Sequence, residues 1–142
     1  MKDRIIAASW IGTALLAITA VGDVASAAFK VPAFVVAIAM FAMGTGILVA
    51  ALVVAAGRSR QAEIGMGGLF FLQGGVAPPA VQRHLLGSLA VEVAVAFATA
   101  AAKPYTSLAF GILAPVYGLG LAGLWAARHG QFGPRGPSPR RN

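Results

Sequence analysis

The sequence predicts an all-α fold: a polytopic transmembrane four-helix bundle, with a short interfacial or re-entrant segment on the cytoplasmic face and a disordered basic C-terminal tail. Three observations lead there. The 142 residues are 58% hydrophobic and only 11% charged, with a mean hydropathy of +0.81, whereas about a quarter of the residues in a soluble domain are charged. Four apolar runs are long enough to cross the hydrocarbon core of a bilayer. The basic residues gather in the segments that flank those runs.

The first run, residues 5–28, spans with some tilt. A signal peptide is the competing reading, with Lys2 and Arg4 as its basic start and Ala25-Ser26-Ala27 as its cleavage site. The apolar stretch exceeds the usual run of about 7–15 residues, so a retained helix is expected. Residues 29–32 make a tight connection, Pro32 suiting the first turn of the next helix. The second span is 33–56.

Residues 64–77, IGMGGLFFLQGGVA, hold five glycines in fourteen positions and run into Pro78-Pro79. That is too short and too poor in helix formers for a span. Charge balance agrees. With this piece left out of the count, nine of the eleven Lys and Arg fall on one side: Lys2, Arg4, Arg58, Arg60, Arg83, Arg128, Arg135, Arg140 and Arg141. Only Lys30 and Lys103 fall on the other. Both termini are therefore expected in the cytoplasm of a plasma-membrane protein, and 64–77 on the cytoplasmic face.

Pro78-Pro79 resets the chain, and the third span runs over 80–102, with Arg83 and His84 in its interfacial first turns. Lys103-Pro104 ends it. The fourth span covers 107–127, Tyr105 and Trp125 anchoring opposite interfaces. Residues 1–130 thus form one transmembrane domain. The tail 131–142, rich in Pro, Gly and Arg, is expected to be disordered and to lie against anionic headgroups.

Small and polar residues recur on one face of each span. Ser9, Thr13, Ala17, Ala20 and Asp23 or Val24 share a face of the first, and Ser88, Glu92, Ala96 and Thr99 a face of the third. Ala37, Gly44, Leu48 and Ala51 do so in the second, and Gly111, Pro115, Gly118 and Ala122 in the fourth. Such faces let helices approach closely in lipid, where packing replaces the hydrophobic effect. Gly44-Thr45-Gly46 and Pro115 are expected kinks.

Phe70-Phe71-Leu72, Ala77-Pro78-Pro79, Arg83-His84-Leu85-Leu86-Gly87, Tyr117-Gly118-Leu119-Gly120 and Trp125 to Gly130 (WAARHG) resemble an uncharacterised family of small four-span bacterial integral membrane proteins. The resemblance covers roughly the second half of the chain. It implies location and topology and carries no catalytic residue.

The candidate functional residue is Glu92, the one carboxylate in the apolar segment 85–102, which rises about 27 Å as a helix. A charge there costs a few kcal/mol, so the carboxyl is expected to be neutral for much of the time. Antiparallel neighbours bring Thr13 and Tyr117 to comparable depth, and Ser88 lies one turn away. These three are its expected hydrogen-bond partners. Two readings stay open: a structural cross-link between helices, or a proton- or cation-linked site in a minimal, oligomeric transporter or channel.

Other chemistry is thinly represented. The absence of cysteine excludes disulfides and thiolate sites. His84 and His129 sit at interfaces, away from Glu92, so no metal site, cofactor or catalytic set is expected. Asp23 reads as an interfacial residue able to pair with Lys30 or Lys103. The net charge of +7 points to acidic headgroups and not to nucleic acid. The function expected is a non-catalytic accessory or structural subunit that binds a second copy of itself or a larger membrane protein. Single cysteines at Ser59, Ser138 and Thr106 test the topology: an impermeant reagent added to intact cells is expected to label Thr106→Cys alone. Equal labelling of Ser59→Cys would end the four-span reading.

Overall fold

A computed structural model describes residues 2–136, apart from the side chains at 107–109. The elements are α1 (Lys2–Ala25), a 3-10 turn (Ala27–Phe29), α2 (Lys30–Arg58), α3 (Met66–Phe71), α4 (Pro79–Ala102), a 3-10 stretch (Ser107–Leu113) and α5 (Val116–His129). Among the described residues there is no strand beyond one isolated bridge, between Ala62 and Pro134. Four helical stretches, Lys2–Ala25, Ala27–Arg58, Pro79–Ala102 and Phe110–His129, are long and apolar enough to cross a membrane. Segment 64–77 is not among them. It holds only the six-residue α3, closed by Leu72 in the left-handed region.

The helix boundaries follow from local chemistry. Ser26, in extended conformation, accepts a hydrogen bond from the Ala28 N–H and caps the turn between α1 and α2. Pro32 sits in the first turn of α2, where no intrahelical donor is needed. Pro78 caps α4 and Pro79 opens it. Lys103, forced out of the helical region by Pro104, closes α4 at φ −134° and ψ 69°.

The fourth span departs from expectation. In place of one helix over 107–127, a 3-10 stretch leads to Pro115, and the α-helix starts only at Val116. Proline lacks an N–H, and its ring crowds the preceding turn, so the ladder changes register here. Ala114 bonds back to Gly111, and Tyr117 to Ala114, in the tighter three-residue pattern.

Helix α5 is the inner member of the assembly. In the most apolar window of each span, 61% of the fourth is buried against 22% of the second. Its largest partner is α2, while α1 pairs chiefly with α4. The α2–α5 contact is backbone on backbone. A Cβ on Gly44 would stand 2.5 Å from the Tyr117 nitrogen, and one on Gly120 would stand 2.7 Å from the Gly44 carbonyl oxygen. Glycine at both positions is what permits this approach. Of the residues expected on inward faces, Ser9, Thr13, Ala20, Asp23, Ala37, Gly44, Ala51, Ser88, Glu92, Ala96, Thr99, Gly111, Gly118 and Ala122 are buried.

The tail is a second correction. Residues 131–135 are laid against the α2–α3 connection and the turn after α3. Gln131 N–H donates to the Val76 carbonyl at 3.0 Å, Glu63 N–H to Gly133 at 2.9 Å, and Arg135 N–H to Gln61 at 3.3 Å. Phe132 packs on the core and lies 5.6 Å beneath the Arg58 guanidinium. An aromatic anchor and paired backbone outweigh the Pro- and Gly-rich composition in this part. The remainder of the expected tail, from 137 on, lies outside the described residues.

The close approach yields a paired prediction. Gly44→Ala pushes a methyl into the α5 backbone and is expected to lower stability by about 1–3 kcal/mol. Gly46→Ala, whose Cβ would meet nothing within 4 Å, is expected to be neutral or mildly stabilising. Thermal unfolding of both variants in detergent makes the comparison.

Candidate functional site

Glu92 stands near the middle of α4, about 15 Å along the axis from its last residue, and is fully buried at 0% exposure. Its carboxyl is held from two other helices. Thr13 Oγ1 of α1 donates to Oε1 at 3.0 Å, and the Gly118 N–H of α5 donates to Oε2 at 3.2 Å. The Gly118 donor is available because of Pro115. The Ala114 carbonyl, its regular helical partner, is taken by Tyr117 N–H, leaving an N–H of the first turn without an acceptor in its own helix. Glu92 supplies that acceptor and places an acidic group at the positive end of the α5 dipole.

The α1–α4 pairing extends beyond this contact. The Ser9 and Ser88 hydroxyls bond one turn earlier, and Thr13 bonds Glu92, each pair 79 residues apart in sequence. Lys103 Nζ bonds the Asp23 carbonyl oxygen, 80 residues back, and lies 3.7 Å from Asp23 Oδ1. A constant offset means that α1 and α4 run parallel, so Thr13 does not reach Glu92 from an antiparallel neighbour as expected. Thr13 also lies 2.9 Å from the Ser9 carbonyl oxygen. Its single proton serves either acceptor. When it goes to Ser9, a protonated Oε1 can donate to the Thr13 oxygen, and the site satisfies both charge states of the carboxyl.

Two of the three expected partners bond elsewhere. The Tyr117 ring covers Gly12 of α1, where a Cβ would collide with it, and this sends the hydroxyl to the Ala8 carbonyl at 3.0 Å. Ser88 bonds Ser9 and the Leu85 carbonyl, the latter at 3.0 Å. Both are buried, and their hydroxyls bond partners other than Glu92. Among the interfacial residues, Asp23 pairs with Lys103 and is 4% exposed. Lys30 is exposed at the start of α2. Arg83 is exposed, and its Nε donates to the Pro79 carbonyl at 3.3 Å.

Arg58 is the residue that sequence reasoning passed over. Its guanidinium donates to the Ala127 carbonyl at 2.7 Å and to Gly130 at 3.0 Å. These belong to the last turn and cap of α5, where a cation complements both the unpaired carbonyls and the dipole. Only a helix end rich in unpaired carbonyls could have signalled it, and every helix has one. No group of three or more metal-ligating side chains occurs among the described residues.

Comparison with protein-family models, curated proteins and solved structures gives no match.

Conservative and nonconservative changes at the carboxyl separate its hydrogen bonds from its charge. Glu92→Gln retains an acceptor for Gly118 and is expected to change stability by about 1 kcal/mol or less. Glu92→Leu leaves the buried Gly118 N–H unpaired, at a cost of about 1–3 kcal/mol. Gly118→Ala would place a Cβ 2.6 Å from Oε2, and its cost is expected to exceed that of Glu92→Gln. Melting temperatures in one detergent rank the three.

Proposed function

We propose that this chain is a non-catalytic integral membrane protein, an accessory or structural subunit that packs against other membrane helices from a four-helix bundle in the plasma membrane, with both termini cytoplasmic. The observation that carries this reading is the enclosure of Glu92: its carboxyl is fully buried and both oxygens are occupied by donors from two neighbouring helices. That is the arrangement of a tie between helices. A transport site needs a carboxyl that exchanges its proton or cation with water.

The outer face of α2 supports the rest of the reading. Ala42, Gly46 and Ala50 recur every four residues and are exposed, and nothing lies within 4 Å of where a Gly46 Cβ would be. A small-residue face of this spacing admits a second helix closely in lipid. The partner is a second copy of the chain or a larger membrane protein, and the cytoplasmic arginines hold the surrounding anionic headgroups.

Purification in mild detergent tests this. A co-purifying membrane protein, or a dimer, is expected with wild type and with Glu92→Gln, and is expected to be lost with Gly46→Leu while the chain itself stays folded. A pH-driven flux in liposomes from the purified chain, abolished by Glu92→Gln with assembly intact, would replace this reading with transport.

A further inference from the structure

We propose that Lys30 and Lys103 form a binding site for the phosphate of a phospholipid headgroup, in the pocket they share with Asp23, Ala27 and Thr106. The pocket measures about 300 Å³. It lies where α1 ends, α2 begins and α4 ends, at the end of α1 opposite Lys2. The inference rests on the membrane-spanning reading and is independent of the accessory role, of Glu92 and of the cytoplasmic arginines.

Charge identifies the ligand as an anion. Two lysines and one aspartate line the pocket, which leaves a surplus of one positive charge in the lining. The carboxylate is already committed: Asp23 is 4% exposed and pairs with Lys103 at 3.7 Å, while the Lys103 side chain remains 35% exposed. Lys103 is thereby held by Asp23, with donor capacity left over, since an ammonium carries three N–H groups. The Lys30 backbone N–H donates to the Ala27 carbonyl, while its side chain has no hydrogen bond or ion pair among the described residues. Lys30 is the first residue of the 29-residue α2, whose N-cap Phe29 supplies no side-chain acceptor. The positive end of that helix therefore adds to the field of the two lysines.

Position identifies the anion as a lipid phosphate. Three apolar helices terminate around the pocket, so it lies at headgroup depth. Val24, next in sequence to Asp23, and Val31, next to Lys30, are 41% and 69% exposed, a surface for the acyl chains of the same molecule. Tyr105, beside Thr106, is fully exposed and adopts φ 63°. A left-handed conformation is unfavourable for tyrosine, and here it projects an amphipathic ring at the level where headgroups meet water.

The chain has three lysines, Lys2, Lys30 and Lys103, so 13C-dimethylation of the full-length protein in detergent reports on both site residues by NMR. Lys30→Arg and Lys103→Arg assign the signals. Short-chain phosphatidylglycerol is expected to shift the Lys30 and Lys103 signals together and saturably, whereas a short-chain diacylglycerol and inorganic phosphate at equal concentration are not. In Lys30→Gln, with the other signals in place, the concentration needed to shift Lys103 is expected to rise roughly fivefold, the effect of one lysine near a membrane surface. Absence of a shift with phosphatidylglycerol, or an equal shift with diacylglycerol, overturns the site. A saturable shift as strong with inorganic phosphate keeps the phosphate chemistry and overturns the lipid as its source. Flotation of the same protein with liposomes reads membrane insertion separately.

Discussion

A helix that begins within a buried apolar stretch has first-turn N–H groups with no acceptor in their own helix, and the structure depends on how those of α5 are answered. Pro115 sets that start. The 3-10 turn that follows gives the Ala114 carbonyl to Tyr117 and leaves the Gly118 N–H facing out of its own helix. Glu92 meets it with a carboxyl oxygen, and the other oxygen of the same carboxyl is held by Thr13. Three helices are joined at one side chain. Proline and carboxylate, each costly alone in a span, are complementary here: one exposes a donor and the other requires one.

That junction fixes depth, and the serine pair beside it fixes rotation. Ser9 and Thr13 are four apart on α1, as Ser88 and Glu92 are on α4, so two contacts form together only when the parallel helices present these faces in one register. A one-residue slip would turn each face by about 100° and break both. The Asp23–Lys103 pair continues the seam to the far ends of the same helices. On the other side of α5, Gly44 and Gly120 remove the side chains that would otherwise hold α2 away. The polar seam is thus directional, whereas the glycine contact is steric, and α5 is held between them.

Periodicity made much of this legible. The inward faces of the first and third spans, read from residues at three- and four-residue spacing, are the faces that are buried, because a helical repeat projects directly onto a packing surface. Exclusion of 64–77 as a span followed from its length and glycine content. Partner assignment was less accessible. Depth alone could not decide whether Tyr117 or the backbone beside it reaches Glu92, since that depends on Pro115 shifting the hydrogen-bond register and on Gly12 drawing the tyrosine ring to α1. Arg58 was hidden for another reason: a cation at the end of a span reads as a topology signal, and its use as a cap requires knowing which helix end lies across from it. The order in residues 131–135 was likewise invisible to composition, because it arises from Phe132 and from backbone pairing with a distant segment.

Two ionisable residues from different helices meet α5 at its opposite ends. Glu92 of α4 faces its N-terminus and Arg58 of α2 its C-terminal carbonyls, the Arg58 cation and the ionised form of Glu92 each having the sign that the dipole favours. A fourteen-residue α-helix, short for a span, is in this way completed by its neighbours. The demand for order is met on the inside, where α5 is most buried. The outer face of α2 is left free of that demand: Ala42, Gly46 and Ala50 point away from the core. A Cβ at Gly46 would meet nothing within 4 Å, open space of the kind that admits close helix approach in lipid.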